Sequence, residues 1–283
     1  MEFGFLGNGA DGESDRLIPN PPFYPVHPNR YGYEGERIDT ERFLFSFREL
    51  ALRLGGICAW IDREATVLAV RLPSKNPAAK RVYVSAGIHG DEPAGPASLL
   101  AGLREARFCE SIDWTLIPCL NPEGLRQNQR ENADKIDLNR DYRRGVSGLV
   151  RSHTRWLRSQ PKFDLAVSLH EDWESMGAYA YELLSAHQPP SPTLARLWLD
   201  DLEQSGLPVE TAATIEGLPA DRGLMSARFH YSLMEDWPEA FMLMAEKTDL
   251  AYTVETPSRW AMEARMAMFS RFFALLEANL RGS

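Results

Sequence analysis

The sequence predicts an α/β fold, a parallel or mixed sheet with helices on its faces. Residues 81–100 begin as a buried strand (Val82, Tyr83, Val84) and end as a helix opening at Pro93, and 112–120 follows as another strand with a mostly apolar body. Strand, helix and strand in that order point to a sheet covered by helices. The 283 residues suffice for one large α/β domain with a full core or for two small ones. With no internal repeat and no low-complexity block, one domain is the simplest account.

The elements follow in order. Residues 1–36 are rich in Gly, Asp, Pro and aromatics, and Pro19, Pro21, Pro22, Pro25 and Pro28 deny both helix and central strand. They read as an extended arm lying through Phe23, Tyr24, Tyr31 and Tyr33 on a catalytic domain over 37–283, with disorder as the alternative for the first dozen residues. From Asp39 the pattern is helical: Phe43, Phe47, Leu50, Ala51 and Leu54 recur mostly at three- and four-residue steps until Gly55-Gly56. Strands follow near 57–61 and 66–72 across the turn Asp62-Arg63-Glu64, then the strand leading to His89 and a helix through about Arg107. After strand 112–120 comes a long polar loop, 121–145, of the kind that is usually functional or disordered. A helix near 147–159 leads to strand 163–170, strand 178–184 and a helix over 192–204. An irregular stretch with Gly217, Pro219 and Gly223 reads as a mobile loop over 215–240. Strand 251–255, closed by Pro257, and an amphipathic helix over 259–280 complete the chain.

Composition narrows the function. Hydrophobic content of 44% and charged content of 25% are ordinary for a globular protein, and the net charge of −9 argues against a general nucleic-acid or anionic-membrane binder. The N-terminus lacks a basic region followed by an apolar core, so no signal peptide is read, and no apolar run approaches membrane-spanning length. Cys58, Cys109 and Cys119 lack metal-type spacing and read as buried free thiols in a reducing compartment. The expected location is the cytoplasm.

The chemistry centres on His89 and Glu92, a His-x-x-Glu pair at the carboxyl end of a strand, the edge where open α/β sheets bind ligands. Gly87 and Gly90 let the backbone bend around Ile88 and His89. An imidazole and a carboxylate so spaced can converge on one ion, but for the pair alone a helix-capping acid near a turn histidine is the better reading. A second histidine, His170, closes the apolar run Leu165-Ala166-Val167-Ser168-Leu169. Two His and one Glu form a catalytic zinc set that leaves a position for water. The polar loop contributes Arg130, Asn139 and Arg140; an arginine there serves either a developing oxyanion or a substrate carboxylate. Arg126, Arg143 and Arg144 read as surface charges, and His27, His153, His187 and His230 as structural or surface residues. Glu255 ends a short strand, where it is either a solvent-facing edge carboxylate or, beside zinc, a general base.

As an ordered set, His89-Gly-Asp-Glu92, Asn121-Pro-Glu-Gly124, Arg130, Asp137-Leu-Asn-Arg140, His170 and Glu255 resemble the zinc carboxypeptidase family of carboxypeptidase A type. The resemblance implies a mixed, mainly parallel sheet of about eight strands flanked by helices. It implies zinc held by His89, Glu92 and His170, with Glu255 as general base. It also implies Arg130 polarising the scissile carbonyl and Asn139 with Arg140 binding a terminal carboxylate. Two features depart from the digestive enzymes: Asp91 stands where they carry a basic residue, and the Arg130-to-Asn139 spacing is short. Both look more like bacterial murein-peptide amidases that cleave γ-D-glutamyl bonds to diaminopimelate, and like deacylases of the succinylglutamate desuccinylase and aspartoacylase branch. Asp91 either meets a cationic group of the substrate or caps the helix at Pro93. Tyr231 is the candidate for a tyrosine lying over the substrate.

The resulting expectation is a zinc metallocarboxypeptidase acting on a small peptide, with an N-acyl amino-acid deacylase as the alternative. A catalytically silent binding protein ranks last, because neither a ligand nor the base is lost.

Overall fold

Three neighbouring parallel strands at the centre of one sheet set the geometry of everything that follows. The structure, a computed structural model, describes residues 23–25, 36–64, 66–185, 193–230 and 235–281. In chain order these form β1 (Phe23–Pro25), β2 (Glu36–Ile38), α1 (Thr40–Arg53), β3 (Ile57–Trp60), β4 (Leu68–Leu72), β5 (Arg81–Ala86), α2 (Ala94–Arg104) and β6 (Asp113–Ile117). Then come α3 (Pro122–Gln127), α4 (Gly148–Ser159), β7 (Leu165–Asp172), β8 (Tyr179–Leu184) and α5 (Leu194–Gln204). Last are β9 (Thr214–Ile215), β10 (Leu218–Pro219), β11 (Leu224–Arg228), α6 (Glu239–Glu246), β12 (Leu250–Pro257) and α7 (Met262–Arg281).

The main sheet has eight strands in the order β11-β8-β12-β7-β5-β6-β4-β3. Four of its seven neighbouring pairs are parallel, β11 with β8, β12 with β7, β7 with β5 and β5 with β6, and three are antiparallel. The mixed, mainly parallel sheet expected from the sequence is therefore the one observed. Alternation along β5 serves both faces: Val82, Val84 and Ala86 pack into one core with α1, α2, α5 and α7, while Tyr83 points to the other with α4 and α6.

Local rules explain most boundaries. Asp39 accepts the Arg42 N–H at 3.1 Å to start α1, and Phe43, Phe47 and Ala51 form its buried stripe. Leu54, read as part of that stripe, lies past the last turn and is exposed. Asp62 accepts the N–H groups of Thr66 and Val67 and closes the β3–β4 turn. Ser147 caps α4 and Thr193 caps α5 through their side chains.

Three expectations change. Helix α2 stops at Arg104 rather than Arg107. The polar stretch 121–145 contains a helix, α3, with Asn121 accepting the Gly124 N–H at 3.0 Å and Pro122 at the first helical position, and a 3₁₀ turn over Leu138–Arg140. The stretch read as a mobile loop over 215–240 contributes the β9–β10 hairpin, edge strand β11 and helix α6. These elements are short, so pairing and packing fix them rather than a long hydrophobic period. Phe23–Pro25 of the N-terminal arm pairs antiparallel with Glu36–Ile38, whereas Tyr31, Tyr33 and Tyr231 lie outside the described residues.

One buried ion pair ties the sheet to two helices. Glu171 of β7 is 4% exposed and Arg265 of α7 is 1% exposed, and the two side chains pair directly. The other Glu171 oxygen accepts the Ala94 N–H at 2.5 Å, so the acid serving the start of α2 is Glu171, and the cap that is one of the two readings of Asp91 is not the one formed. Burial raises the Glu171 carboxyl to about 7, against the lowering pull of Arg265. Glu171→Ala, which leaves the guanidinium buried without its carboxylate, is predicted to lower stability by about 3–5 kcal/mol, read as a lower urea midpoint.

Candidate metal centre and active site

Strands β12, β7 and β5 are adjacent and parallel, so their carboxyl ends meet at one edge of the sheet. His89 and Glu92 lie on the turn after β5, His170 sits near the end of β7, and Glu255 of β12 lies in register with His170. Residues far apart in sequence thus converge because their strands are neighbours.

The turn after β5 is built around two glycines. Gly87 takes φ +61°, a conformation glycine adopts without strain. Gly90 donates its N–H to the Gln129 carbonyl at 3.0 Å, and a Cβ on it would overlap the Gly124 backbone. The Asn-Pro-Glu-Gly segment is therefore the platform on which the His89 turn rests. Asn121 also reaches the Arg130 carbonyl with its Nδ2 at 3.3 Å, linking the platform to that arginine.

His89, Glu92 and His170 are all buried, and one ligand atom from each lies within 4.8 Å of the others. Glu92 is held between the imidazoles, Oε1 2.5 Å from His89 Nδ1 and Oε2 2.9 Å from His170 Nδ1. Burial by itself would raise the Glu92 carboxyl, but the two histidines outweigh it and hold it far below the usual carboxylate range. Two imidazole nitrogens and one carboxylate match the donor set of a catalytic zinc site, so these residues fit a bound divalent cation.

Asp137, which the motif included without assigning it a role, orients the cluster. Its Oδ1 lies 3.2 Å from His89 Nε2 and accepts the Asn139 N–H at 2.9 Å, while Oδ2 is 3.0 Å from Arg130 Nε. A carboxylate on Nε2 fixes the tautomer that leaves Nδ1 as a ligand. Burial would raise Asp137, yet His89, Arg130 and Arg140 together hold it well below its ordinary range. Spacing alone gave no signal for this contact, which joins residues 48 positions apart.

Arg130 is half-buried against the cluster, with one guanidinium nitrogen 3.3 Å from His89 Nδ1 and 3.9 Å from Glu92 Oε1. Arg126, Arg143 and Arg144 are exposed, as expected. Asn139 is buried and accepts the Glu239 backbone N–H on Oδ1 at 2.9 Å, and the half-buried Arg140 donates to the Asn139 carbonyl at 2.9 Å. Glu255 is half-buried. Burial pushes its carboxyl well above the usual range, His170 opposes this, and Glu92, Asp172 and Glu216 add to it. On the same side, Tyr179 donates to Asp172 at 2.9 Å and Tyr181 to Glu216 at 2.6 Å. His153 is fully buried, and Cys58, Cys109 and Cys119 are free thiols, of which only Cys119 is fully buried. Asp137→Asn is predicted to weaken zinc affinity by about 10–100-fold, measured by competition with a chromophoric chelator, with the fold retained by circular dichroism.

Comparison with known proteins identifies the family and the fold. The profile of the succinylglutamate desuccinylase/aspartoacylase catalytic domain matches residues 78–219, half of the chain. Carboxypeptidase 2 of Trichophyton rubrum is 34% identical over 110 residues, which span 34% of this chain and 20% of that protein. Among solved structures, a candidate metallopeptidase from Shewanella amazonensis SB2B superposes with a TM-score of 0.74 at 19% identity, covering 92% of this chain and 99% of that one. Carboxypeptidase A from Helicoverpa armigera gives 0.60 at 13% identity, covering 86% of this chain and 73% of that one. At these identities the structural likeness is one of fold. The chain belongs to the succinylglutamate desuccinylase/aspartoacylase catalytic-domain family and is built on the carboxypeptidase A-like fold.

Proposed function

We propose that this protein is a zinc-dependent carboxypeptidase-type hydrolase that cleaves an amide bond next to a free carboxylate. The observation that carries the reading is the buried His89–Glu92–His170 cluster with Glu255 in register beside it. His89, Glu92 and His170 would hold the ion, which when bound supplies Lewis-acid polarisation of water and of the scissile carbonyl.

The chain's own groups supply the rest. Glu255 takes the proton of the attacking water and returns it to the leaving amine. For this it must be ionised, which a divalent cation held by His89, Glu92 and His170 would favour against the effect of burial. Arg130 donates to the developing oxyanion, and Asn139 with Arg140 holds the substrate carboxylate. Tyr231 would cover the bound substrate.

The substrate is a small peptide, and a γ-D-glutamyl-diaminopimelate murein peptide is the finer proposal. The second reading, an N-acyl amino-acid deacylase, is favoured by the family profile over 78–219 and uses the same groups. We further propose an arm over 1–36, a catalytic domain over 37–283 and a cytoplasmic location. Among the described residues no helix is long and apolar enough to cross a membrane.

A mass-spectrometric hydrolysis panel tests these readings. It contains L-Ala-γ-D-Glu-diaminopimelate, ordinary C-terminal peptides and N-acyl amino acids. Release of diaminopimelate or of a C-terminal amino acid by the zinc-loaded protein supports the carboxypeptidase; release of a free acyl acid alone moves it to the deacylases. Glu255→Gln is predicted to lower kcat by about 10²–10⁴-fold with zinc still bound, and undiminished turnover would refute the base assignment. Chelation is predicted to abolish hydrolysis, and added zinc to restore it.

A further inference from the structure

Behind the metal cluster lies a buried polar network that the mechanism above does not use. Glu239, at the start of α6, is 1% exposed. Its Oε1 accepts the Tyr83 hydroxyl at 2.6 Å, and its Oε2 accepts those of Ser85 at 2.6 Å and Ser168 at 2.9 Å. The network continues from Tyr83 to His153 Nε2 at 3.1 Å, and from His153 Nδ1 to Tyr142 at 2.7 Å. One assignment satisfies the chain from Tyr142 to Glu239. Tyr142 donates to Nδ1 of a neutral His153, whose Nε2–H donates to Tyr83, which donates to the Glu239 carboxylate. Burial favours the neutral imidazole that this assignment requires, lowering His153 to about 3.

Two features connect the network to the active site. Ser85 and Ser168 belong to β5 and β7, the strands that deliver His89 and His170. The backbone N–H of Glu239 donates to Asn139 Oδ1. With Oδ1 engaged, the free end of the Asn139 amide is its NH₂, a pure donor and the polarity that a substrate carboxylate needs.

We infer that Glu239 is a positioning residue for substrate binding: its carboxylate, anchored on two central strands, fixes the start of α6 so that the Glu239 amide holds Asn139 as a donor. The inference rests on the carboxylate-clamp reading of Asn139 and Arg140. A buried carboxylate is costly unless hydrogen-bonded, and here three hydroxyl donors satisfy it.

The test compares Glu239→Ala, Glu239→Gln and Asn139→Ala in the zinc-loaded protein. The panel substrate cleaved best is used beside its carboxamide analogue. Glu239→Ala is predicted to raise KM for the carboxylate substrate about tenfold, as Asn139→Ala does, with kcat and zinc stoichiometry little changed. On the carboxamide, which keeps one acceptor oxygen but no charge, both substitutions are predicted to raise KM by a smaller factor. Glu239→Gln keeps one acceptor oxygen and is predicted to fall between wild type and Glu239→Ala. The Glu239–Asn139 double variant should be no worse than either single one.

If Asn139→Ala raises KM while Glu239→Ala and Glu239→Gln leave it unchanged, the inference is overturned and the clamp stands. If Asn139→Ala and Arg140→Ala also leave KM unchanged, the clamp fails and the inference with it. Should Glu239→Ala not fold, Glu239→Gln decides: a KM raised more on the carboxylate substrate than on its carboxamide supports the inference, and an unchanged KM overturns it.

Discussion

The site depends on one electrostatic constraint: a carboxylate, Glu92, buried between two imidazoles, His89 and His170. Burying a charge without compensation is expensive, and the pair of histidines is what makes this one tolerable. The constraint runs in both directions. Glu92 holds the imidazole nitrogens close together, and their convergence produces a donor set suited to a divalent cation. The surrounding charges follow the same logic, with Asp137 behind His89 and Arg130 bridging Asp137 to the cluster.

Such a cluster needs rigid support, and three neighbouring strands provide it. β5, β7 and β12 end at one edge, so a small sliding of either flanking strand against β7 would separate His89 and Glu92 from His170, or His170 from Glu255. Two buried devices brace this arrangement from opposite faces. The Glu171–Arg265 pair fastens β7 to α7 and to the start of α2, next to the turn that carries His89 and Glu92. The Glu239 network fastens β5 and β7 to α6, on the other side. Each is a fully buried carboxylate with its partners in place, a feature whose cost is compatible with holding a geometry rather than with adding stability.

Much of this was legible in the sequence because the chemistry sits at strand ends. His89 and His170 close apolar runs, and the fold class follows from the order of strands and helices. What escaped reading depends on tertiary contact. Helix α3 is less than two turns long, held by the Asn121 cap and the Gly90–Gly124 approach, and it reads as polar loop in one dimension. β11 is an edge strand whose last residues are exposed, so its alternation carries little signal. Asp137 was visible only as part of a motif, and Glu239 was not singled out at all, since its partners come from distant strands. Asp91 was the natural candidate to cap α2 by proximity, but Glu171 reaches the Ala94 amide from the neighbouring strand.

The central claim is that His89, Glu92 and His170 hold one zinc ion. X-ray absorption at the zinc edge, on protein loaded with one equivalent, tests it most directly. The account predicts only nitrogen and oxygen neighbours at about 2.0–2.2 Å, with two imidazoles in the fit and the signal lost in the His89→Ala/His170→Ala variant. A sulfur neighbour at about 2.3 Å, or an unchanged spectrum in that variant, would place the ion elsewhere and contradict the account.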